Sequence, residues 1–354
     1  MNIAIRVDSS QDLGTGHFMR CLTLAQNFSQ GEDSVIFICR SINDEQKKII
    51  ESKKYKLIKL LEINEPNLEW MKSNLLEDAH EVIEYLNLVS IDLLIIDHYG
   101  IDYKWEKAVE PYVSKILVID DEEEKNHKCD FFLNPSYGAE KLKAKFSSNH
   151  KENTRFLLGT KYMILRKEFL KYTKSNRKLD FNIKKIHIFF GGVDVHNYTL
   201  KYAELLLENF KNIQLFIVVG SNYRYYNQLI FLEKKYIGKV KLYRNIPNME
   251  DVLSQCNMAI GAPGITTWER AALGIPTLYL TTATNQVPIL EKLHNAQICC
   301  YLGEASKIKN EEFIHSVNNF INNNKKLEIY SKNSHQIIDP ESTNRIIKII
   351  RGDA

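Results

Sequence analysis

The sequence has no run of about 18 apolar residues, the length needed to carry a helix across a bilayer, so no membrane span is expected. Its first residues, Met1-Asn2-Ile3-Ala4-Ile5-Arg6-Val7-Asp8, lack the basic start and the apolar stretch of a secretory leader, and none is expected. Charge of one sign is scarce: the net charge is +3 and is spread along the chain. That argues against a nucleic-acid or membrane-surface partner, while suiting an anionic small molecule. Cysteine is sparse as well. Of the six, Cys299 and Cys300 are adjacent, and Cys21, Cys39, Cys129 and Cys256 lie in or beside apolar runs. This spacing fits neither a disulfide framework nor a zinc site, and reads as reduced packing residues of a cytoplasmic protein. Low-complexity segments and short-period repeats are also absent.

What is present is a globular composition, 44% hydrophobic, in a chain of 354 residues with room for two domains. Short runs rich in β-branched residues, Ile3–Val7, Val35–Cys39, Leu93–Ile96 and Ile116–Ile119, alternate with helical patterns at 16–30, 43–53, 74–88 and 102–110. A second series runs through Ile186–Phe190, Leu215–Val219, Val240–Tyr243, Met258–Ile260 and Thr277–Leu280. Such alternation predicts βαβ units and parallel sheets. The expected organisation is a Rossmann-like domain over 1–170, a polar linker over 171–185 containing Ser175-Asn176-Arg177-Lys178, and a second Rossmann-like domain over 186–354. The last of these ends in a helical tail, roughly 309–351, with one apolar face. Ligands of doubly wound sheets bind at the carboxyl ends of the strands, and two facing domains would form a cleft from both sets of ends.

Several strand ends carry candidate chemistry. After Asp8 the chain reads Ser9-Ser10-Gln11-Asp12-Leu13-Gly14-Thr15-Gly16-His17 and then opens a helix with Phe18-Met19-Arg20. Glycines at 14 and 16 allow close backbone approach to an anion at a helix N-terminus. The spacing is neither GxGxxG nor a P-loop. His17, in the first turn, is either a base able to take a proton or a loop residue that caps and packs. Asp97-His98-Tyr99-Gly100 ends another strand, and Asp97 has the alternative role of capping the helix near Asp102 while Tyr99 packs. Asp120-Asp121 invites a metal, yet the following Glu122-Glu123-Glu124-Lys125 reads as solvated and no oxygen-ligand loop is present; no metal is expected.

In the second half, Phe189-Phe190-Gly191-Gly192-Val193-Asp194 is a strand entering a glycine turn. Gly261-Ala262-Pro263-Gly264-Ile265-Thr266-Thr267-Trp268-Glu269-Arg270 ends a strand and opens a helix. The amides of Gly264, Ile265 and Thr266, with the hydroxyls of Thr266 and Thr267, suit a diphosphate. Glu269 is either an acceptor for a ribose hydroxyl pair or the far half of a capping box. Thr284-Asn285-Gln286 follows the next strand.

Taken in order, these segments resemble the UDP-2,4-diacetamido-2,4,6-trideoxy-β-L-altropyranose hydrolases of pseudaminic acid biosynthesis, a family similar to GT-B glycosyltransferases. The carriers are Arg6-x-Asp8, Gly14-Thr15-Gly16-His17-x-x-Arg20-Cys21-Leu22, Asp97-His98-Tyr99, Asp120-Asp121 with His127-x-Cys129-Asp130, and Leu133-Asn134. Further along come Leu158-Gly159 to Leu165-Arg166-x-Glu168-Phe169, Gly191-Gly192-x-Asp194, Gly264-x-Thr266-Thr267-Trp268-Glu269-Arg270 and Asn285-Gln286. The resemblance implies a GT-B-like α/β fold of two doubly wound domains facing a cleft, and an inverting hydrolysis of the UDP-sugar. It implies His17 as the base that activates water, Tyr99 and Asn285 at the sugar, Gly264–Thr267 at the diphosphate, Glu269 at the ribose, and the backbone near Ile246 at uracil. Gly14, Gly16, Arg20, Gly192 and Gln286 are the remaining expected contacts. A UDP-sugar is the expected partner, no cofactor is expected, and a monomer is. The chain departs from the family at Pro263 and Ile265, where a glycine and a serine are usual, and at Val193 and Val195 in the other glycine turn. A GT-B glycosyltransferase would use the same nucleotide site with an acceptor in place of water. A non-catalytic nucleotide-sugar binder would not need His17, Tyr99 and Asn285 together.

Overall fold

A computed structural model of the chain describes residues 1–9, 15–29, 33–63, 68–122, 125–148, 153–173 and 179–353. It divides into two compact units, Met1–Ile164 with Glu341–Ala354, and Leu165–Pro340. The first unit contains β1 (Asn2–Val7), α1 (Gly16–Phe28), β2 (Ser34–Cys39), α2 (Asp44–Ser52), β3 (Lys56–Lys59), α3 (Leu68–Ser73) and α4 (Leu75–Leu86). It continues with β4 (Leu93–Asp97), α5 (Tyr103–Val109), β5 (Ile116–Ile119), β6 (Phe131–Asn134), α6 (Lys143–Ser148) and β7 (Arg155–Leu158). The strands form one sheet in the order β3-β2-β1-β4-β5-β6-β7, and each neighbouring pair is parallel.

The second unit begins with α7 (Lys167–Thr173), β8 (Lys185–Phe189), α8 (Tyr198–Asn209), β9 (Gln214–Val219), α9 (Tyr226–Lys235), β10 (Val240–Arg244) and α10 (Met249–Leu253). It closes with β11 (Met258–Gly261), α11 (Ile265–Ala272), β12 (Thr277–Thr281), α12 (Val287–Asn295), β13 (Cys300–Glu304), α13 (Asn310–Ile321) and α14 (Asn324–Gln336). Its sheet order is β10-β9-β8-β11-β12-β13, again parallel throughout. The order reverses between β1 and β4 in one unit and between β8 and β11 in the other. These are the switch points at which doubly wound sheets open a crevice.

Strands buried on both faces explain the near-continuous apolar runs. In β1, Ile3, Ile5 and Val7 face a core with Leu24, Ala25 and Phe28 of α1, while Ala4 packs on the opposite face with Val82 of α4 and Trp105 of α5. Arg6 points to that second face and is fully buried. It is tolerated there because Asp78 of α4 receives its Nε at 3.2 Å and Nη2 at 2.8 Å. Arg40 and Trp105 Nε1 also donate to Asp78, at 2.9 and 2.9 Å. The Arg6-x-Asp8 pattern is therefore part of a buried ion-pair network that fixes α4 to the sheet.

Two expectations about organisation need correction. The units part at Ile164–Leu165 rather than across 171–185, because α7 packs on α11 and Arg166 pairs with Glu269 of the second unit. Residues 174–178 of the expected linker lie outside the described residues. The expected tail divides: α13 and α14 stay with the second unit, and the chain from Glu341 on joins the first. Its last helix, α15 (Ser342–Arg351), buries Ile346, Ile347, Ile349 and Ile350 in the core of the first unit. Four such side chains contribute roughly 1.5–3 kcal/mol each when removed from water. All six cysteines are buried and none forms a disulfide. No helix among the described residues is long and apolar enough to cross a membrane.

Candidate functional site

The first-unit candidate site starts where α1 begins. Gly14 lies outside the described residues, and the helix opens at Gly16. His17 and Arg20 stand three residues apart and so share a helix face. That face meets the end of β4, which lies beside β1 with Asp97 opposite Val7. Asp97 is fully buried. Its Oδ1 lies 2.5 Å from His17 Nδ1 and accepts from Arg20 Nη2 at 2.7 Å; its Oδ2 accepts from Arg20 Nε at 2.5 Å. Burial opposes ionisation of Asp97, but Arg20 and His17 outweigh it and hold the carboxyl well below the usual carboxylate range.

An ionised Asp97 fixes the tautomer of its neighbour. It can only accept, so His17 Nδ1 carries the proton and the lone pair is on Nε2. Among the described residues, no hydrogen-bond partner meets that Nε2. The ring of Tyr99 stands edge-on to His17, with centroids 4.4 Å apart. The Tyr99 hydroxyl donates to Asp121 Oδ1 at 2.7 Å, and Asp121 Oδ2 lies 3.5 Å from Arg20 Nη1. Burial and the Asp121 charge push the phenol far above its ordinary pKa, so Tyr99 remains a donor. Lys125 adds its ammonium to the Tyr99 carbonyl. The result is a closed circuit of five side chains in which one nitrogen, His17 Nε2, is left to act. Such a pair can take a proton and keep the resulting imidazolium beside a carboxylate.

The alternatives left open by the sequence now separate. Asp97 does not cap α5; Asp102 does, accepting from Lys104 N at 2.8 Å. Asp120 and Asp121 turn to different partners. Asp120 faces His127 Nε2 at 3.1 Å, and Glu106 takes His127 Nδ1 at 2.6 Å. Burial opposes charge on that imidazole, yet the two acids raise its pKa to about 9. His98 belongs to a further network: its Nδ1 accepts from Gly100 N at 2.9 Å, so its Nε2 is the donor toward Asp8 Oδ2 at 3.3 Å. Among the described residues, no group of three or more His, Cys, Asp or Glu could hold a metal ion.

At the carboxyl edge of the second sheet, backbone takes the leading part. Gly191 has φ +100°, a left-handed conformation that favours glycine. Gly192 O accepts from Gly220 N at 2.9 Å, and a Cβ on Gly220 would come within 2.5 Å of that oxygen. Asp194 caps α8 through the amides of Tyr198 and Thr199. After β11, Gly264 (φ +155°) precedes α11, and its amide donates to Thr267 Oγ1 at 3.1 Å. Thr267 thus braces the loop, while Ile265 and Thr266 supply first-turn amides that no helical carbonyl can reach. Thr266 is itself buried.

Glu269 does not close a capping box. Its Oε1 accepts from Arg166 Nε at 2.9 Å and lies 2.7 Å from Arg166 Nη2. Arg166 Nη1 reaches on to Pro247 O at 3.2 Å, tying α11 to the loop that contains Ile246. Ile246 is half-buried against Phe216, Val218 and Val252. Asn285 is exposed on a short 3-10 turn, Thr284–Gln286. Gln286 braces that turn, its Oε1 accepting from Thr282 N at 2.8 Å. Arg20, expected as a ligand contact, has its guanidinium occupied by Asp97 and Asp121. Sequence reasoning weighed Asp97 as a cap and Asp121 as half of a metal-binding pair, and gave Arg166 no role of its own. The available signal was the place of Asp97 at the end of β4, beside the switch point, and of Asp121 just after β5.

This architecture, two doubly wound parallel-sheet α/β units, is the GT-B-like fold. MurG of Acinetobacter baumannii superimposes with a TM-score of 0.66 over 99% of each chain at 13% identity. The S. aureus MnaA–UDP co-structure gives 0.69 over 99% of this chain and 96% of that one at 12% identity. Among curated sequences, an uncharacterized protein of Methanocaldococcus jannaschii is 32% identical over 286 residues, which is 79% of this chain but 55% of that protein. The chain thus spans about half the length of that relative. A Campylobacter jejuni protein named UDP-2,4-diacetamido-2,4,6-trideoxy-beta-L-altropyranose hydrolase is 27% identical over 68% of this chain and 81% of its own length. The spore coat polysaccharide biosynthesis protein SpsG of Bacillus subtilis is 21% identical over 99% of this chain and 98% of its own length. No protein-family model matches.

Proposed function

We propose that the protein is a UDP-sugar-processing enzyme, and specifically that it hydrolyses a UDP-activated diacetamido-trideoxy sugar of the altropyranose type to UDP and the free sugar. The observation that carries this reading is the His17–Asp97 pair, whose 2.5 Å contact fixes the proton on Nδ1 and leaves Nε2 as a base. His17 Nε2 takes a proton from water as the water oxygen bonds to the anomeric carbon. The C–O bond to the diphosphate breaks, its electron pair leaves with UDP, and the configuration inverts. Asp97 stabilises the imidazolium that forms, and Arg20 keeps that carboxylate ionised and in place.

In this reading the amides of Gly264–Thr266 bind the diphosphate and take up the charge that develops on the leaving group. Glu269 accepts from the ribose hydroxyls through the oxygen that Arg166 leaves open, the backbone at Ile246 meets uracil, and Tyr99 and Asn285 line the sugar. The likeness to the Campylobacter jejuni relative supports the choice of substrate. The GT-B-like fold also suits a glycosyltransferase, which would pass the same sugar to an acceptor.

The deciding experiment incubates the protein with the UDP-sugar and no acceptor, following UDP and reducing sugar by NMR. Hydrolysis is expected; release of UDP only after an acceptor is added would establish the transferase instead. His17→Asn should lower turnover by at least several hundredfold, within the range of acid–base residues, with UDP affinity nearly unchanged. A fully active variant removes His17 from the mechanism.

A further inference from the structure

The second unit contains a fully buried guanidinium that no carboxylate bonds among the described residues. Arg270 lies on α11 with none of its side chain exposed. Its Nη2 donates to Phe189 O at 3.3 Å, and Nη1 is 3.5 Å from Ala262 O. Its carbon stands 5.4 Å from the centre of the Tyr279 ring, and its Nε is buried without a hydrogen-bond partner. The adjacent His187, whose Nδ1 is 3.4 Å from Nη2, brings no negative charge. Burial first, and then the neighbouring cation, hold it neutral.

A charge in this position is heavily penalised, and an apolar side chain would pack there without that cost. The acid next to it in sequence, Glu269, is already bonded to Arg166. Glu269 feels the charge of Arg270 as well as that of Arg166, and buried Glu250 opposes both, but among the described residues no carboxylate hydrogen-bonds the Arg270 guanidinium. What Arg270 does touch is informative. Phe189 ends β8 and Ala262 follows β11, so the guanidinium is bonded to the roots of both glycine loops at the switch point. Gly261 makes room for it: a Cβ there would lie 1.9 Å from Phe189 O and 3.0 Å from Arg270 Nη2.

We infer that Arg270 is a positioning residue for a diphosphate, fixing the two loops from behind and supplying through the protein the positive charge that the bound anion needs. The inference rests on the proposed phosphate role of Gly264–Thr266 and adds to it a charge that never touches the ligand. In a water-poor interior a cation acts at longer range than a surface lysine. Its effect should therefore follow the phosphates and leave the nucleoside alone.

Titration of wild type, Arg270→Gln and Arg270→Lys with inorganic pyrophosphate, UDP and uridine tests this. Arg270→Gln is expected to weaken pyrophosphate and UDP tenfold or more while uridine stays within twofold, and Arg270→Lys to recover most of the loss. Unchanged pyrophosphate and UDP affinities, or an equal loss for uridine, overturn the inference. Thermal melts establish folding. Should Arg270→Gln not fold, Arg270→Lys decides: pyrophosphate affinity within threefold of wild type supports the role of charge, and a tenfold loss refutes it. Wild type that binds pyrophosphate but not UDP would sink the nucleotide reading and leave the Arg270 comparison standing on pyrophosphate. Wild type that binds neither ends both.

Discussion

At the carboxyl edge of the first sheet, titratable side chains are bonded to one another: Asp97 to His17 and Arg20, Asp121 to Tyr99, Asp8 to His98. The corresponding edge of the second sheet is made largely of backbone, with Gly192 O on Gly220 N and Gly264 N on Thr267 Oγ1. Two sheets of the same topology thus present different chemistry. A ring of mutually fixed titratable groups keeps a base in one tautomer. A backbone cradle presents amides whose direction is set by helix geometry and needs no protonation state. If the proposed division of labour is right, damage to the first edge should appear in turnover and damage to the second in affinity.

The largest expected effect comes from breaking the first edge at its centre. Asp97→Asn keeps the shape but offers an amide to His17 Nδ1, which permits the wrong tautomer. Turnover should fall by about a thousandfold or more, with UDP affinity close to wild type. An equal loss in affinity would mean that Asp97 shapes the nucleotide site and does not tune a base.

Next in size is the buried network behind that edge. Asp78→Ala leaves the guanidinia of Arg6 and Arg40 without their shared acceptor. Removing one partner of a buried ion pair costs about 3–5 kcal/mol, and urea unfolding should show a loss of that order. A loss below about 1 kcal/mol would show that water replaces the carboxylate.

A smaller effect belongs to His127, held between Glu106 and Asp120 with its pKa raised to about 9. Because the folded value exceeds that of the unfolded chain, its contribution is complete below about pH 6.5 and is lost as pH rises through 9. About 3 kcal/mol of stability should disappear over that window. His127→Gln should flatten the profile, whereas an unchanged slope would assign it to other groups.

How much of this was legible in the sequence differs between the two edges. The helix starts at Gly16 and Ile265 were read from glycines placed after strands, because backbone conformation leaves a local mark. The partner of His17 left none, being 80 residues away. Only the order of the sheet, which puts β4 beside β1, brings Asp97 to it. Strands β3, β6, β7 and β13 went unread; β3, for one, has a lysine at each end and no buried residue, so it leaves no apolar run. The boundary at Ile164–Leu165 escaped for a related reason: polarity marks exposed chain, whereas Arg166 is committed to the second unit by an ion pair across 103 residues.

The finest test of the contrast is Thr267→Val, which keeps the size of the side chain and removes the oxygen that receives Gly264 N–H. Gly264 sits at φ +155°, where the chain has no regular structure to hold it. Without the brace its amide turns to solvent, and the first-turn amides of α11 lose part of their alignment. The deficit is one neutral hydrogen bond, worth roughly 1 kcal/mol, so UDP affinity should fall about fivefold. Turnover at saturating substrate should change little, because the His17–Asp97 pair belongs to the other edge. Thr267→Ser restores the acceptor and should restore affinity. If serine fails to rescue, the methyl group packs the loop and the hydroxyl is incidental; if turnover falls with affinity intact, the two edges do not divide the work as proposed.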